Sequence, residues 1–410
     1  MACTIPAFNS GALAQTTAPV VPPDPAFPKL FSKYTGMNGY EDLVVAGDLI
    51  NGNEAVRIAE LSGATLKQMR TALEDPTVER ALGMLHTALD KPIQSPRDPG
   101  KLDEDTLLPE YGGFRNLARV LAVEEYVALA DGRVSKAIEI MRDGLRLGYV
   151  IQSETLISGL VGVAIDAIAL ERLAHHYDQM SLKDCLQVIG VAQEWLKLPS
   201  PAETVLMVES KSLHNMIAAW RNDPARLRKI IASMLPKDAP TSDSEVAALE
   251  LSDYVNANGP GVQSMLDQAL VLADEETRKQ IVELRKPAWQ RKPAKKFDSR
   301  ASIAHQLCGL LLPSYDIALN KFDTDCARMH LLGTHAAIHR FRWENNRLPS
   351  SLSELKLPNL TTDPFTGKPL QYQAKSGASS SDSTYVLFSA GPTNVGDGGA
   401  PLGPVYLPRQ

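Results

Sequence analysis

Apolar residues recur at three- and four-residue spacing from Asn38 to Leu235, and capping residues punctuate the pattern. Asp75-Pro76, Ser200-Pro201 and Asp223-Pro224 each set a short polar acceptor ahead of a proline. The acceptor satisfies N–H groups of the first helical turn, and proline fits the first helical position because it has no N–H to satisfy. After Pro76, residues Val78, Ala81, Leu82, Leu85 and Leu89 share one face, as in a helix with one buried side. The spacing predicts an all-helical domain over residues 38–235. Asn51-Gly52-Asn53 breaks the first helices, and the proline- and charge-rich stretch 92–109 reads as a surface excursion.

The most regular part is Phe114–Ala130, the turn Asp131-Gly132, and Val134–Tyr149. A short turn between two apolar-faced helices makes an antiparallel hairpin. With Ala128 before the turn, Gly132 ending it, and Ala137, Ile138 and Leu145 on the return helix, the segment resembles part of a tetratricopeptide repeat. No second copy follows at a fixed period, so it reads as one hairpin in an irregular helical domain. Leu156–Tyr177 is long and apolar, and Gly159, Gly162, Ala164, Ala167 and Ala169 let other helices approach closely. Its most apolar part, Leu156–Leu170, contains Asp166, and no apolar run in the chain approaches the roughly 20 residues that span a bilayer.

A chain of 410 residues exceeds one ordinary core, which implies two or three domains. The formal net charge of -6 argues against a general nucleic-acid binder. Residues 236–300 read as a helical linker region ending in a basic, proline-broken run, Arg285 to Phe297, that includes Trp289. That run reads either as a solvated connection or as a peripheral contact with an anionic surface. Cys3, Cys185, Cys308 and Cys326 lie in no metal-ligand spacing and read as small buried apolar residues. Residues 1–37 read as an extended or disordered tail, in which Ala12-Leu13-Ala14-Gln15 is similar to the small-x-small end of a signal peptide.

The last stretch, 301–410, changes character. Ser302–Asn345 reads as two helical halves with a break at Pro313. It is followed by Arg347-Leu348-Pro349, a short helical turn, a loop Asp363-Pro364-Phe365-Thr366-Gly367-Lys368-Pro369, a strand at Leu370–Tyr372 and a second strand at Tyr385–Ser389. This order, with Arg340–Pro349, Asp363–Tyr372 and Phe388-Ser389-Ala390-Gly391-Pro392, resembles the globular region of type II secretion major pseudopilins and related pilin-like modules. The resemblance covers about the last quarter of the chain. It implies a small α+β pilin-like domain, a docking or assembly role and a periplasmic or secreted location. It also implies calcium near the last strands, where this chain offers Asn394 and Asp397, with Asp382 nearby. The family's membrane-spanning filament helix corresponds here to Ser302–Pro313, which is too short to span.

The fold class expected is therefore mainly α, an irregular helical bundle or hairpin domain followed by a small α+β pilin-like domain. No HExxH, GxSxG, phosphate loop or dinucleotide fingerprint occurs. His335 and His339 share a helix face and His330 does not; they read as core-satisfied or solvent-facing. Glu124, Glu125, Glu154, Asp166, Glu171 and His175 fall on neighbouring helices without the Glu-x-x-His motif of a bundle metal site. The leading expectation is a non-enzymatic structural or protein-interaction protein of the bacterial envelope or exterior, partnered by another protein or by itself. An enzyme with a site around residues 124–176 and a small-molecule or lipid carrier stand as alternatives.

Overall fold

The computed structural model describes residues 38–61, 63–98, 101–102, 106–152, 154–236, 242–257, 259–292, 298, 301–312, 315–375, 384–392 and 404–407. The N-terminal tail, Cys3, most of the 236–244 connection, residues 293–297 of the basic run, and Asp382, Asn394 and Asp397 lie outside them. Among the described residues the architecture is mainly helical, with one small sheet near the C-terminus.

The first helices are α1 (Gly39–Leu49), α2 (Glu54–Glu60), α3 (Leu66–Leu73) and α4 (Pro76–Leu89). Asn38, Asn53, Thr65 and Asp75 cap them, Asp75 as its place before Pro76 indicates, and Thr65 forms a reciprocal capping box with Gln68. The hairpin is α5 (Glu110–Ala130) and α6 (Val134–Ile151), turned at Gly132, whose φ of 71° suits a residue without Cβ. Next come α7 (Leu156–Ala174), a 3-10 turn at Tyr177–Gln179, and α8 (Leu182–Trp195). Thr155 and Ser181 open α7 and α8 with capping boxes.

A second set follows: α9 (Ala202–Asn222), α10 (Pro224–Met234), α11 (Asp243–Ala257), α12 (Gly259–Leu284) and α13 (Ile303–Leu311). Its core is built from Leu213, Ile217 and Trp220 of α9, Leu227 and Ile231 of α10, and apolar residues of α11, α12 and α13. The stretch between residues 236 and 292 is thus largely helix with a buried side. Three of the four described cations of the basic run meet acids: Arg285 pairs with Glu203 at 2.7 Å, Lys286 with Glu283 at 2.5 Å and Arg291 with Asp323 at 2.7 Å.

The chain ends with α14 (Tyr315–Asn345), a 3-10 turn at Leu352–Leu355, α15 (Pro358–Thr361), β1 (Gln371–Lys375) and β2 (Thr384–Phe388). The strands pair antiparallel, from Gln371 opposite Phe388 to Lys375 opposite Thr384. Tyr385 and Leu387 of β2 point into the protein. They join the same core as the N-terminal helices: one cluster runs from Tyr40 of α1 through Leu332 and Ile338 of α14 to Leu407. The helix α14 is the spine of this arrangement, lying along α8 and α7 and under the sheet.

Close helix approach follows from the small residues of α6 and α7. A Cβ at Gly162 would overlap the Gln152 side chain and lie 2.5 Å from the Gly148 carbonyl oxygen. A Cβ at Gly159 would lie 2.6 Å from the Phe322 ring of α14. Gly162→Ala is therefore expected to force α6 and α7 apart and destabilise the chain by about 1–3 kcal/mol, read as a lowered denaturation midpoint. An unchanged midpoint would show that the hairpin absorbs the methyl group.

One expectation needs correction. The stretch 92–109 is not simply a surface excursion, because Arg97 is 8% exposed and reaches inward to α1, α5 and the start of α7. Its charge finds two buried carboxylates there, and that pairing outweighs the polar character of the surrounding loop.

Candidate functional site

Among the described residues, four groups of buried ionisable side chains sit at junctions between elements. The first is centred on Arg97. Its Nη1 donates to both oxygens of Glu154 at 2.8 and 2.7 Å, and its Nη2 meets the Glu110 carboxylate. Tyr111 Oη donates to Glu154 at 2.7 Å, Tyr40 Oη to Glu110 at 3.0 Å, and Ser95 Oγ to Glu154 at 2.6 Å. Burial and the Glu154 charge push the hydroxyls of Tyr40 and Tyr111 well above the usual tyrosine range, so both remain donors.

The second group joins α6, α7 and α14. Asp166 and Asp325 are both buried and share the Gln152 amide, whose Nε2 donates to Asp166 at 2.7 Å and reaches Asp325 at 3.5 Å, while Oδ1 of each carboxylate meets no hydrogen-bond donor. Burial and the facing Asp325 raise Asp166 well above the carboxylate range; burial pushes Asp325 up to about 6.

The third group lies where α14 meets the sheet and the turn before α8. His335 shares a 2.9 Å hydrogen bond with Tyr385 Oη of β2. The Tyr177 ring stacks on both His335 and His339, at centroid distances of 5.1 and 5.7 Å. His330 Nδ1 donates to the Leu360 carbonyl at 3.0 Å, and Thr334 donates to the same oxygen. Burial lowers the His330 pKa, which keeps the ring neutral. The three histidines of α14 therefore attach the C-terminal elements, with His335 and His339 on one face as their spacing indicates.

The fourth group is Asp363, which is fully buried. Its carboxylate accepts from Phe365 N at 2.9 Å, Ser389 Oγ at 2.9 Å and Ala390 N at 2.7 Å. It thereby ties the Asp363–Lys368 loop to the end of β2. Gly367, at φ 67°, brings that loop against the Trp289 indole: a Cβ there would lie 2.6 Å from the ring.

These positions separate most of the acids between residues 124 and 176, while Glu171 stays within electrostatic reach of Glu125 and His175. Glu154 belongs to Arg97, Asp166 to Asp325, and Glu125 to the Leu173 backbone and Arg172 at the α5–α7 contact. Glu124 contributes to the field at His86, where Asp143 bonds the ring at 2.9 Å. Asp325, Arg97, Glu110 and Gln152 were not singled out from sequence. Asp166 was visible as a lone acid in an apolar helix, but its partner lies on a helix far along the chain. Among the described residues no group of three or more His, Cys, Asp or Glu converges as a metal site. Cys185 and Cys308 are buried free thiols, and Cys326 is a half-buried one.

Glu125 is buried, with its charge disfavoured by desolvation, so its pKa is raised well above the ordinary value. A carboxyl that binds its proton more tightly in the folded state loses stability as pH rises from its unfolded pKa through its folded one. Glu125→Gln is expected to raise the thermal midpoint more at pH 8 than at pH 5. Thermal scans at the two values check this, and an equal shift at both would show that Glu125 is ionised in place.

Comparison of the chain with family models, with curated proteins and with solved structures returned no match.

Proposed function

We propose that this chain is a non-enzymatic structural or protein-interaction protein of the bacterial cell envelope or exterior, whose C-terminal α/β end serves docking or assembly. The observation that carries the reading is strand β1. Among the described residues it pairs only with β2, and Gln371, Gln373, Ala374 and Lys375 are exposed. A strand with an available edge takes an extended segment of a partner through main-chain hydrogen bonds. The sheet is a firm platform for this, since Tyr385 and Leu387 are rooted in the main core and Asp363 fixes its end. The envelope location rests on the resemblance carried by Arg340–Pro349, Asp363–Tyr372 and Phe388–Pro392. No helix among the described residues is long and apolar enough to cross a membrane.

Purification of the native protein, with mass spectrometry of its N-terminus and of co-purifying chains, tests both halves. A processed N-terminus with a stoichiometric protein partner or a self-oligomer is the expected result. An intact Met1 overturns the envelope location. A strictly monomeric chain without a protein partner overturns the docking role.

A further inference from the structure

The Asp166–Asp325 contact carries a consequence for how the C-terminal helix is held, independent of the docking role. Both side chains are almost wholly buried, at 0% and 1% exposure. Two ionised carboxylates offer only acceptors, and Oδ1 of each is buried without a donor, so a proton on one of them is what would satisfy both. The Gln152 amide donates 2.7 Å to Asp166 and reaches Asp325 at 3.5 Å, which leaves the pair suited to one negative charge. The surroundings are tight. A Cβ at Gly148 would overlap the Asp166 carboxylate, and a Cβ at Gly162 would overlap Gln152.

We propose that Asp166 and Asp325 share a proton and form a pH-dependent clasp that holds α14 on the α6–α7 pair.

The charged groups around the clasp do not replace that proton. On α14, Arg328 stands 4.0 Å from Asp325 and is partly exposed, while Asp323 is engaged with Arg291. The Cys326 thiol beside them is pushed up to about 12 and stays neutral. Helix α6 faces the pair with Gly148 and Gln152, neither of which titrates. Glu209 of α9 accepts from the Leu156 N–H at one end of α7, and Glu125 of α5 sits at Leu173 towards the other. Asp184 of α8 is occupied by Ser135 and Ser181.

The sign follows from where the proton binds. Burial keeps Asp166 protonated, and holds Asp325 up to about 6, where an unfolded aspartate at about 3.9 is already ionised. Opening the contact releases a proton, so rising pH favours the open form. Above pH 6 one proton remains in the closed pair. The opening equilibrium should then rise about tenfold per pH unit until Asp166 itself ionises.

Amide hydrogen exchange of the full chain between pH 6 and 9, with each rate divided by its intrinsic value, reads this directly. Peptides of α7 and α14 around the pair are expected to lose protection about tenfold per pH unit, while α1 and α4 keep theirs. Asp166→Asn and Asp325→Asn each supply the hydrogen bond without an exchangeable charge. The pH slope should vanish in whichever of them folds. A flat profile in the wild type overturns the clasp. So does an unchanged slope in the asparagine variants, or an equal loss of protection in α1 and α4.

Discussion

Arg97→Ala is expected to lower the unfolding free energy by about 3–5 kcal/mol, enough to remove much of the stability of an ordinary domain. The reason is the state in which it leaves its partners. Glu110 and Glu154 stay in place with side chains 0% and 10% exposed, and both lose the cation that balanced them. A buried ion pair adds little net stability compared with apolar packing, but removing one member leaves a charge without compensation. Tyr40, Tyr111 and Ser95 still donate to the two carboxylates, so the loss falls short of full desolvation of both. Arg97→Lys is expected to recover only part of it. A point charge cannot reach Glu110 from one guanidinium nitrogen and Glu154 from another as the arginine does. Adding Glu110→Gln and Glu154→Gln to Arg97→Ala should restore most of the stability, since the uncompensated charges are then gone. Guanidinium denaturation of the four proteins checks the series. A triple variant no more stable than Arg97→Ala would place the effect in lost packing, such as the guanidinium lying 5.5 Å over the Tyr111 ring.

The elements of this fold were legible where local chemistry decides them. Asp75 and Asp223 cap helices whose starts the following prolines mark, and Asp131-Gly132 turns the hairpin, whereas at Ser200-Pro201 the helix begins one residue later than the spacing indicates, at Ala202. Helix α13 ends at Leu311 and α14 begins at Tyr315, on either side of the break read at Pro313, which lies outside the described residues, and the strand positions near Tyr372 and Tyr385 follow from short alternating runs. What could not be read is what depends on contacts between distant segments. Residues 92–109 look like loop by composition, yet Arg97 has its partners on either side of the hairpin. Asp325 is one acid among several on a long helix, and only the packing of α14 against α7 gives it Asp166 as a neighbour. The merging of the C-terminal sheet with the core of α1 to α8 is hidden for the same reason, because apolar faces do not announce which other face they cover. The histidines show both sides. Spacing placed His335 and His339 together, but the Tyr177 ring stacked on both arrives from the turn before α8.

Asp363→Ala is expected to detach the sheet locally by about 3 kcal/mol while the helices keep their stability. The carboxylate serves three donors, and two of them, Phe365 N and Ala390 N, are backbone groups. Hydrogen bonds to a charged acceptor contribute about 1.5–3 kcal/mol each, and losing one acceptor shared by three donors does not add up to three separate losses. Ser389, buried at 0% exposure, would retain its backbone pairing with Val405 and the 3.3 Å bond its Oγ accepts from the Gly391 N–H. Amides of β1 and β2 should then exchange roughly a hundredfold faster, while those of α1 and α4 hold their rates. Asp363→Asn separates acceptor number from shape. Its oxygen keeps the Phe365 and Ser389 bonds, but its NH2 faces the Ala390 N–H donor, so it should fall between wild type and alanine. If β2 peptides in Asp363→Ala exchange at the wild-type rate, the loop is not what fixes the strand. The anchoring would then lie in Tyr385 and Leu387, whose side chains enter the core from the same face of the strand as Ser389.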